Sequence, residues 1–212
     1  MPNILIADDH SVIRTGMKII ISNFLPHSKI EEADNGESCI GWIKKEDFDI
    51  IILDVNMPDT DSFGLVNTIL ALKPESKILM FSMNDDQIYA KRYLKLGVKG
   101  YVRKDEPENE IKKAITQVLN NKKYISQRLS DTLIKELSGE GPENPFDKLS
   151  AREFEIVQHL AKGESLSEIC HKLTLHPSTV GTHKARIFEK LSCNNIVELN
   201  TLAKIHHVLF LS

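Results

Sequence analysis

The first 124 residues alternate short apolar runs with amphipathic stretches, and this alternation constrains the fold more than any other feature of the chain. The apolar runs are rich in isoleucine and bounded by polar residues, as buried strands are: NILIAD, KIEEA, DIIILD, SKILMFS and KGYV. The stretches between them repeat apolar residues at the helical period. Because each parallel crossover needs a helix, five strands alternating with five helices predict a parallel sheet covered on both faces.

Residues 124–147 break this alternation. Their first half carries leucines at helical spacing, whereas their second half contains two glycines and two prolines, which a helix does not tolerate together. We therefore expect a linker with a helical first half, and it separates an α/β domain at residues 1–123 from the remaining chain.

Residues 148–212 show helical patterns and no strand pattern. Ser150 and Glu153 have the spacing of a capping box at the start of the first segment, and Gly163 stops it. Three further segments follow, and Pro177 stands in the first turn of one of them. The sequence thus predicts a second, all-α domain of four helices.

Composition narrows the class of protein. The chain is 41% hydrophobic and 27% charged, and no apolar run reaches the roughly 18 residues that a membrane span requires. The N-terminus enters the first strand without a signal-peptide pattern. Three widely spaced cysteines indicate neither a disulfide framework nor a zinc site. We expect a cytoplasmic protein without a membrane span and with reduced thiols.

Charge is distributed unevenly along the chain. The net charge of −3 divides into −2 over residues 1–123, −3 over residues 124–147 and +2 over residues 148–212. The last part also holds six of the eight histidines. A basic end on an acidic body favours a nucleic-acid partner, although +2 is a weak electrostatic footprint.

Polar residues stand where the apolar strands end. The first strand runs into Asp8 and Asp9, the third into Asp54 and the fourth into Ser82, and the fifth leads to Lys104. In an open parallel sheet, function collects at the carboxyl ends of the strands. These five side chains are therefore predicted to share one rim of the sheet.

The chemistry of this rim follows from its charges. Three carboxylates in one place repel each other and recruit a cation, and carboxylate oxygens suit Mg²⁺. An aspartate beside Mg²⁺, with a lysine and a hydroxyl nearby, can accept a phosphoryl group. We take Asp54 as the nucleophile, Asp8 and Asp9 as metal ligands, Lys104 as the charge partner and Ser82 as the reporter of phosphorylation.

Four segments carry a resemblance to a known family. IADDH, ILDVNMPD, MFSMND and GYVRKD, in this order and spacing, resemble the receiver domain of two-component response regulators over about residues 1–123. The resemblance implies a flavodoxin-like, doubly wound fold and phosphorylation of Asp54 by a sensor histidine kinase. It also implies a metal ligand from the backbone carbonyl of Asn56 and a switch formed by Ser82 and Tyr101.

The four C-terminal segments predict a helix-turn-helix, with TLHP as the turn before the recognition helix STVGTHKARIFEKL. Val180, Ile187 and Leu191 form the packing face of that helix. The rest of it offers hydroxyls and cations, which suit contacts to phosphates and base edges. The candidate contacts to double-stranded DNA are Ser178, Thr179, Thr182, His183, Lys184, Arg186 and Lys190.

This half also resembles a known domain. LSAREFEIVQHLAKGESLSEIC followed by HPSTVGTHKARIFEKL is similar to the LuxR-type helix-turn-helix over residues 148–211. With the receiver half, the chain is identified as a member of the NarL/FixJ response regulators. The resemblance implies a transcription regulator that binds DNA as a homodimer, often pairing its last helix, when phosphorylation shifts its conformational population.

The chain departs from the family pattern in both halves. Ser62 occupies a loop position where relatives usually have glycine, and Gly181, Ser167 and Glu189 stand where many relatives carry basic or larger side chains. Each lost phosphate contact removes about one unit of salt slope, and Gly181 costs roughly 1 kcal/mol of helix stability. We therefore expect weak, salt-sensitive DNA binding by the isolated domain.

Two other functions stay open from the residues alone. The tail domain of a phosphorylation switch can bind a protein instead of DNA, which the weak charge and Gly181 favour. A Mg²⁺-dependent phosphatase would also use Asp54 as its nucleophile. That enzyme needs a second acid two residues later, and this chain has Asn56 there.

Overall fold

The computed structural model describes residues 1–58, 60–83, 86–138, 144–173, 175–206 and 208. The chain forms two compact units, Met1–Gly139 and Glu140–Ser212. The predicted linker spans the division between them, and its residues 139–143 lie outside the described part. Over the described residues, no helix combines the length and the apolar character needed to cross a bilayer.

Unit 1 is built on a sheet of five strands. In chain order they are β1 (Asn3–Ala7), β2 (Lys29–Ala33), β3 (Ile50–Asp54), β4 (Ile78–Ser82) and β5 (Gly100–Arg103). The strand order is β2-β1-β3-β4-β5 and every neighbouring pair is parallel. This confirms the predicted doubly wound α/β fold.

Five helices cover the two faces of the sheet, and a sixth follows. They are α1 (Ser11–Phe24), α2 (Gly36–Lys45), α3 (Ser62–Leu72), α4 (Asp86–Leu96), α5 (Glu108–Leu119) and α6 (Gln127–Leu137). All residues of the central strands β3 and β4 are buried, whereas the edge strand β2 is only partly so. Strands β3 and β4 have nearly continuous apolar sequences because both faces of the sheet are covered there.

The start of the predicted linker is attached to unit 1. The backbone N–H of Tyr124 donates to the carbonyl of Lys99 at 2.8 Å, and its hydroxyl donates to Glu110 at 2.9 Å. Gly100 allows this approach, because a Cβ there would lie 3.1 Å from the Tyr124 backbone. Helix α6 buries Leu129 and contacts α4. Residues 127–137 of the predicted linker are thus helical and belong to unit 1.

Unit 2 consists of a 3-10 turn, Pro145–Lys148, and four helices. These are α7 (Ala151–Ala161), α8 (Leu166–Lys172), α9 (Pro177–Leu191) and α10 (Ile196–Ile205). The capping box predicted at Ser150 and Glu153 is present, and Pro177 is the first residue of α9 as expected. Phe146, Phe154 and Val180 lie in the fully buried core.

Candidate functional site

An acidic cluster lies at the carboxyl ends of β1 and β3. These strands are neighbours in the sheet, so the residues that end them come together as predicted. Asp8, Asp9, Asp54 and His10 each offer a ligand atom, and these atoms lie within 4.8 Å of one another. The side chains of Asp8 and Asp54 are almost fully buried. His10 is a member that the sequence reasoning missed.

Lys104 joins the two buried carboxylates. Its Nζ lies 2.6 Å from Asp8 Oδ2 and 2.9 Å from Asp54 Oδ2, and its side chain is only 5% exposed. The backbone N–H of Lys104 donates to the carbonyl of Ser82 at 2.9 Å, which holds the end of β4 beside the residue that follows β5. All five predicted rim residues are therefore at one edge of the sheet.

Burial and this ion pair have opposite effects on the pKa values of Asp54 and Lys104. Burial raises the pKa of Asp54 above its ordinary value, and the ammonium of Lys104 and the N–H of Asn56, 3.2 Å from Oδ1, offset only part of that rise. Burial lowers the pKa of Lys104, but its hydrogen bonds to Asp8 and Asp54 outweigh this and leave it raised. Lys104 is thus a permanent cation at neutral pH.

Arg14 supports the loop that carries the acids. Its Nη1 donates to the backbone carbonyls of Asp8 at 2.7 Å and Asp9 at 3.2 Å, and its Nε pairs with Glu32 at 3.1 Å. The N–H of His10 donates to Asp8 Oδ1 at 2.9 Å. The sequence reasoning also missed Arg14. The available signal was a cation in the first turn of the helix that follows the acidic pair.

The donor set fits a hard divalent cation. Three carboxylates face one ammonium, which leaves a formal charge of −2 on a cluster whose ligand atoms are within 4.8 Å of each other. Carboxylate oxygens with open positions for water suit such an ion. The imidazole of His10 lies at the outer edge, with its side chain 65% exposed and its Nδ1 2.9 Å from Asp9 Oδ1.

The predicted switch residues lie in the interior. Ser82 and Tyr101 are both fully buried, so this structure has the tyrosine turned inward. The ring centroid of Tyr101 is 6.3 Å from that of Tyr93 in α4, and Tyr93 stacks on Phe63 at 4.4 Å with an interplanar angle of 4°. The Tyr93 hydroxyl lies 2.7 Å from Ser62 Oγ in a buried hydrogen bond.

Ser62 needs no unusual backbone here. It is the first residue of α3, and it is not among the described non-glycine residues with positive φ. Asp61 caps the helix by accepting from the N–H of Gly64 at 2.7 Å. The serine in place of the family's usual glycine therefore requires no strained backbone, because helix α3 begins at Ser62 itself.

Helix α9 places the predicted DNA contacts in different surroundings. Ser178, Thr182 and Arg186 are exposed, and Thr179 is partly exposed. Lys190 is tied to unit 2, because its Nζ lies 2.7 Å from Glu153 Oε2.

Two further predicted contacts are partly covered. The ammonium of Lys184 lies 5.5 Å from the centroid of the Phe188 ring, in the same helix. His183 has a buried Nδ1 that finds no hydrogen-bond partner among the described residues. The predicted set therefore does not form one uniform exposed face.

Comparison with known families identifies both units. The family model described as the response regulator receiver domain matches residues 4–116. The model described as bacterial regulatory proteins of the luxR family matches residues 147–203. The first match spans more than half of the chain, and the two together follow the order of the units.

Relatives cover nearly the whole chain. Response regulator GacA of Pseudomonas aeruginosa is 32% identical over 207 residues, which is 97% of this chain and 97% of GacA. Oxygen regulatory protein NreC of Staphylococcus epidermidis is 34% identical, covering 92% of this chain and 94% of NreC.

A solved structure has the same fold. RcsB of Salmonella enterica serovar Typhimurium, bound to promoter P1flhDC with the phosphomimetic BeF3-, has a TM-score of 0.75. It is 25% identical and the match covers 96% of this chain and 98% of RcsB. This chain belongs to the NarL/FixJ family of two-component response regulators, which join a receiver domain to a LuxR-type helix-turn-helix.

Proposed function

We propose that the protein is a transcription regulator whose binding to double-stranded DNA is controlled by phosphorylation of Asp54 by a sensor histidine kinase. The carrying observation is the buried Asp8–Lys104–Asp54 arrangement at the carboxyl ends of β1 and β3. A buried carboxylate held by an ammonium is poised to receive a phosphoryl group, and the chain that carries it ends in a helix-turn-helix.

The transfer is a displacement at phosphorus. A carboxylate oxygen of Asp54 forms the new P–O bond while the P–N bond of the kinase phosphohistidine breaks, and the departing imidazole keeps the bonding electrons and takes up a proton. Lys104 balances the charge on the phosphoryl oxygens. Burial of Asp54 withholds water from the resulting acyl phosphate.

The acidic cluster would hold Mg²⁺ through carboxylate oxygens of Asp8, Asp9 and Asp54 and the backbone carbonyl of Asn56. When bound, the ion supplies positive charge that neutralises the phosphoryl oxygens. Arg14 fixes the backbone of two of these residues, which keeps their carboxylates oriented. Three carboxylates and one ammonium leave a formal charge of −2, which a divalent cation would neutralise. This charge balance supports the proposed role of the cluster.

Phosphorylation would act on DNA binding through a shift between conformations. The Ser82 hydroxyl bonds a phosphoryl oxygen, the inward Tyr101 becomes the favoured position, and the altered receiver surface pairs two copies of the chain. Two copies double the contacts to DNA, which a domain with a net charge of +2 requires. RcsB, a structural neighbour, is seen on a promoter with a phosphomimetic.

A selection experiment tests the proposal. The full chain is mixed with genomic DNA fragments of its own organism and with Mg²⁺, with and without beryllofluoride, and the bound fragments are sequenced. We expect a few inverted-repeat fragments to be enriched only with beryllofluoride. The Asp54→Ala protein should enrich none and should fail to take up phosphate from acetyl phosphate, whereas Asp105→Asn, a control in a nearby loop, should behave as the parent.

The same samples separate the alternative functions. If the Asp54→Ala protein still enriched DNA fragments in response to acetyl phosphate, Asp54 would not be the phosphoacceptor. A beryllofluoride-induced change in oligomer mass without any DNA enrichment would point to a protein-binding tail instead. Repeated turnover of small phosphomonoesters would indicate the phosphatase, which the neutral Asn56 disfavours.

A further inference from the structure

The side chain of His10 faces the acidic cluster and does not cap the helix that follows it. His10 stands at the N-cap position of α1, but its imidazole makes no capping hydrogen bond. Its Nδ1 lies 2.9 Å from Asp9 Oδ1 and 3.3 Å from Asp8 Oδ1. Helix capping therefore does not explain where this ring is held.

Hydrogen bonding of the ring does not explain its position either. Asp9 Oδ1 is buried and accepts no hydrogen bond among the described residues, although the ring nitrogen lies 2.9 Å away. Asp8 Oδ1 accepts instead from the backbone N–H of His10, at 2.9 Å. A buried oxygen without a donor calls for a partner, and a metal ion shared with the ring nitrogen would supply one.

The distances are those of neighbouring ligands around an octahedral ion. Nitrogen and oxygen ligands lie about 2.1 Å from such an ion, so two ligands at right angles are about 3 Å apart. The separations of Nδ1 from the oxygens of Asp8 and Asp9 fit this spacing. Asp54 adds a fourth donor, and all four donor atoms lie within 4.8 Å of one another. The His10 side chain is 65% exposed, which leaves the outer side of the cluster open to water ligands.

A nitrogen ligand changes which ions this cluster prefers. Mg²⁺ dehydrates reluctantly and takes oxygen ligands, so it would keep a water molecule where the imidazole could bind, whereas first-row transition ions accept imidazole nitrogen. We infer that His10 is a fourth side-chain ligand, through Nδ1, and gives the site a preference for divalent first-row transition ions over Mg²⁺. The inference rests on the proposed function, because it concerns the metal of the same phosphorylation site.

Electron spin echo spectroscopy with Mn²⁺ tests the ligand directly. Mn²⁺ is paramagnetic, and its preference for oxygen-rich sites disfavours the six histidines of residues 148–212. We expect the full chain with one equivalent of Mn²⁺ to show the coupling of a directly bound ¹⁴N nucleus, and His10→Ala to abolish it. The matched control, His27→Ala, removes the other histidine of unit 1, which is exposed between α1 and β2, and should keep the coupling.

The affinities for two ions distinguish a ligand from a mere neighbour. His10→Ala should weaken Mn²⁺ binding about tenfold or more, because losing even a residue that only supports a metal ligand costs that much. It should leave Mg²⁺ binding almost unchanged. Asp9→Asn should weaken the binding of both ions, because its carboxylate serves both. Isothermal titration calorimetry of the full chain measures the dissociation constants, and circular dichroism verifies that each variant is folded.

Three results would overturn the inference. They are a parent complex without ¹⁴N coupling, a His10→Ala complex that keeps the coupling, and a His10→Ala protein that loses affinity for both ions by the same factor. In each case the proposed function stands, provided that Mg²⁺ still binds and Asp54 still takes up phosphate from acetyl phosphate. A parent protein that binds neither ion would contradict the inference and the proposed metal site together.

Discussion

The rim of the sheet in unit 1 and the outer face of α9 in unit 2 carry function in opposite ways. On the rim, side chains from the ends of β1 and β3 converge on Lys104, which is 5% exposed and within 2.9 Å of two carboxylates. On α9, Ser178, Thr182 and Arg186 come from one helix and lie exposed on the surface of unit 2. The side chains of a chemical site contact one another, whereas the side chains of a recognition surface are exposed and available to a partner.

This difference decides how each region responds to substitution. Removing a member of the rim leaves other buried charges without their partner, so stability and chemistry should change together. Removing the exposed Arg186 of α9 should change binding and leave stability nearly intact. The four predictions below test that contrast, and the largest effect is expected on the rim.

Lys104→Met should destabilise unit 1 most. It leaves Asp8 and Asp54 facing each other in the interior without a cation, and breaking a buried pair in this way costs about 3 kcal/mol or more. The pKa of Asp54 should rise further, because the lysine is what lowers it against burial. Urea unfolding at neutral pH measures the loss, and Lys113→Met, on the exposed side of α5, is the matched control.

The outcome that contradicts this prediction is equal stability of the two lysine variants. Adding Asp8→Asn to Lys104→Met should recover part of the loss, because it removes one of the two unpaired carboxylates. No recovery would mean that the lysine acts through packing against Phe81, 5.9 Å away, and not through charge.

Magnesium should stabilise unit 1 by a smaller amount. An ion that binds only the folded state at one hundred times its dissociation constant adds about 2.7 kcal/mol. We expect the midpoint of urea unfolding to rise with Mg²⁺ concentration and to return on chelation. Asp9→Asn should weaken this response, while Asp105→Asn, outside the cluster, should keep it. If the unfolding midpoint of the parent protein did not change with Mg²⁺ concentration, the proposed metal site would be contradicted.

Tyr93→Phe tests a contact deeper in unit 1. It leaves the buried Ser62 hydroxyl without the partner it has at 2.7 Å, which should cost about 1 to 2 kcal/mol of unfolding free energy. The stacking on Phe63 is kept, so the ring packing is not the cause. In the Ser62→Ala background the same substitution should cost less. Additive losses from the two substitutions would show that the bond does not couple them.

These contacts also mark the limit of prediction from sequence. The strands, the Ser150 capping box and the first-turn Pro177 follow local patterns, and the shared rim follows from parallel topology. The roles of Arg14 and Lys190 were not predictable in this way. Each depends on which of several rotamers a long side chain selects among partners distant in sequence, and no local spacing specifies that.

Lys190 provides the most discriminating comparison, because the sequence predicts it as a DNA contact and the structure pairs it with Glu153. Lys190→Met should lower the stability of unit 2 by about 1 kcal/mol, a modest amount because the lysine side chain is 38% exposed. If the pair is structural, the salt slope of DNA binding should stay at the parent value. If Lys190→Met instead lowered the salt slope of DNA binding by one unit and left stability unchanged, Lys190 would be a DNA contact as the sequence predicts.

Acid unfolding separates these outcomes independently of DNA. Burial raises the pKa of Glu153, but hydrogen bonds from Lys190 and Ser150 outweigh it and hold the pKa below its ordinary value near 4.5. A carboxyl with a lowered pKa in the folded state stabilises above its unfolded pKa, and this stability is lost as the pH falls below about 4.5. Lys190→Met removes the strongest of these opposing hydrogen bonds, so the pKa of Glu153 should rise. The variant should therefore unfold at higher pH than the parent, and Lys184→Met, which lacks an acidic partner among the described residues, should not.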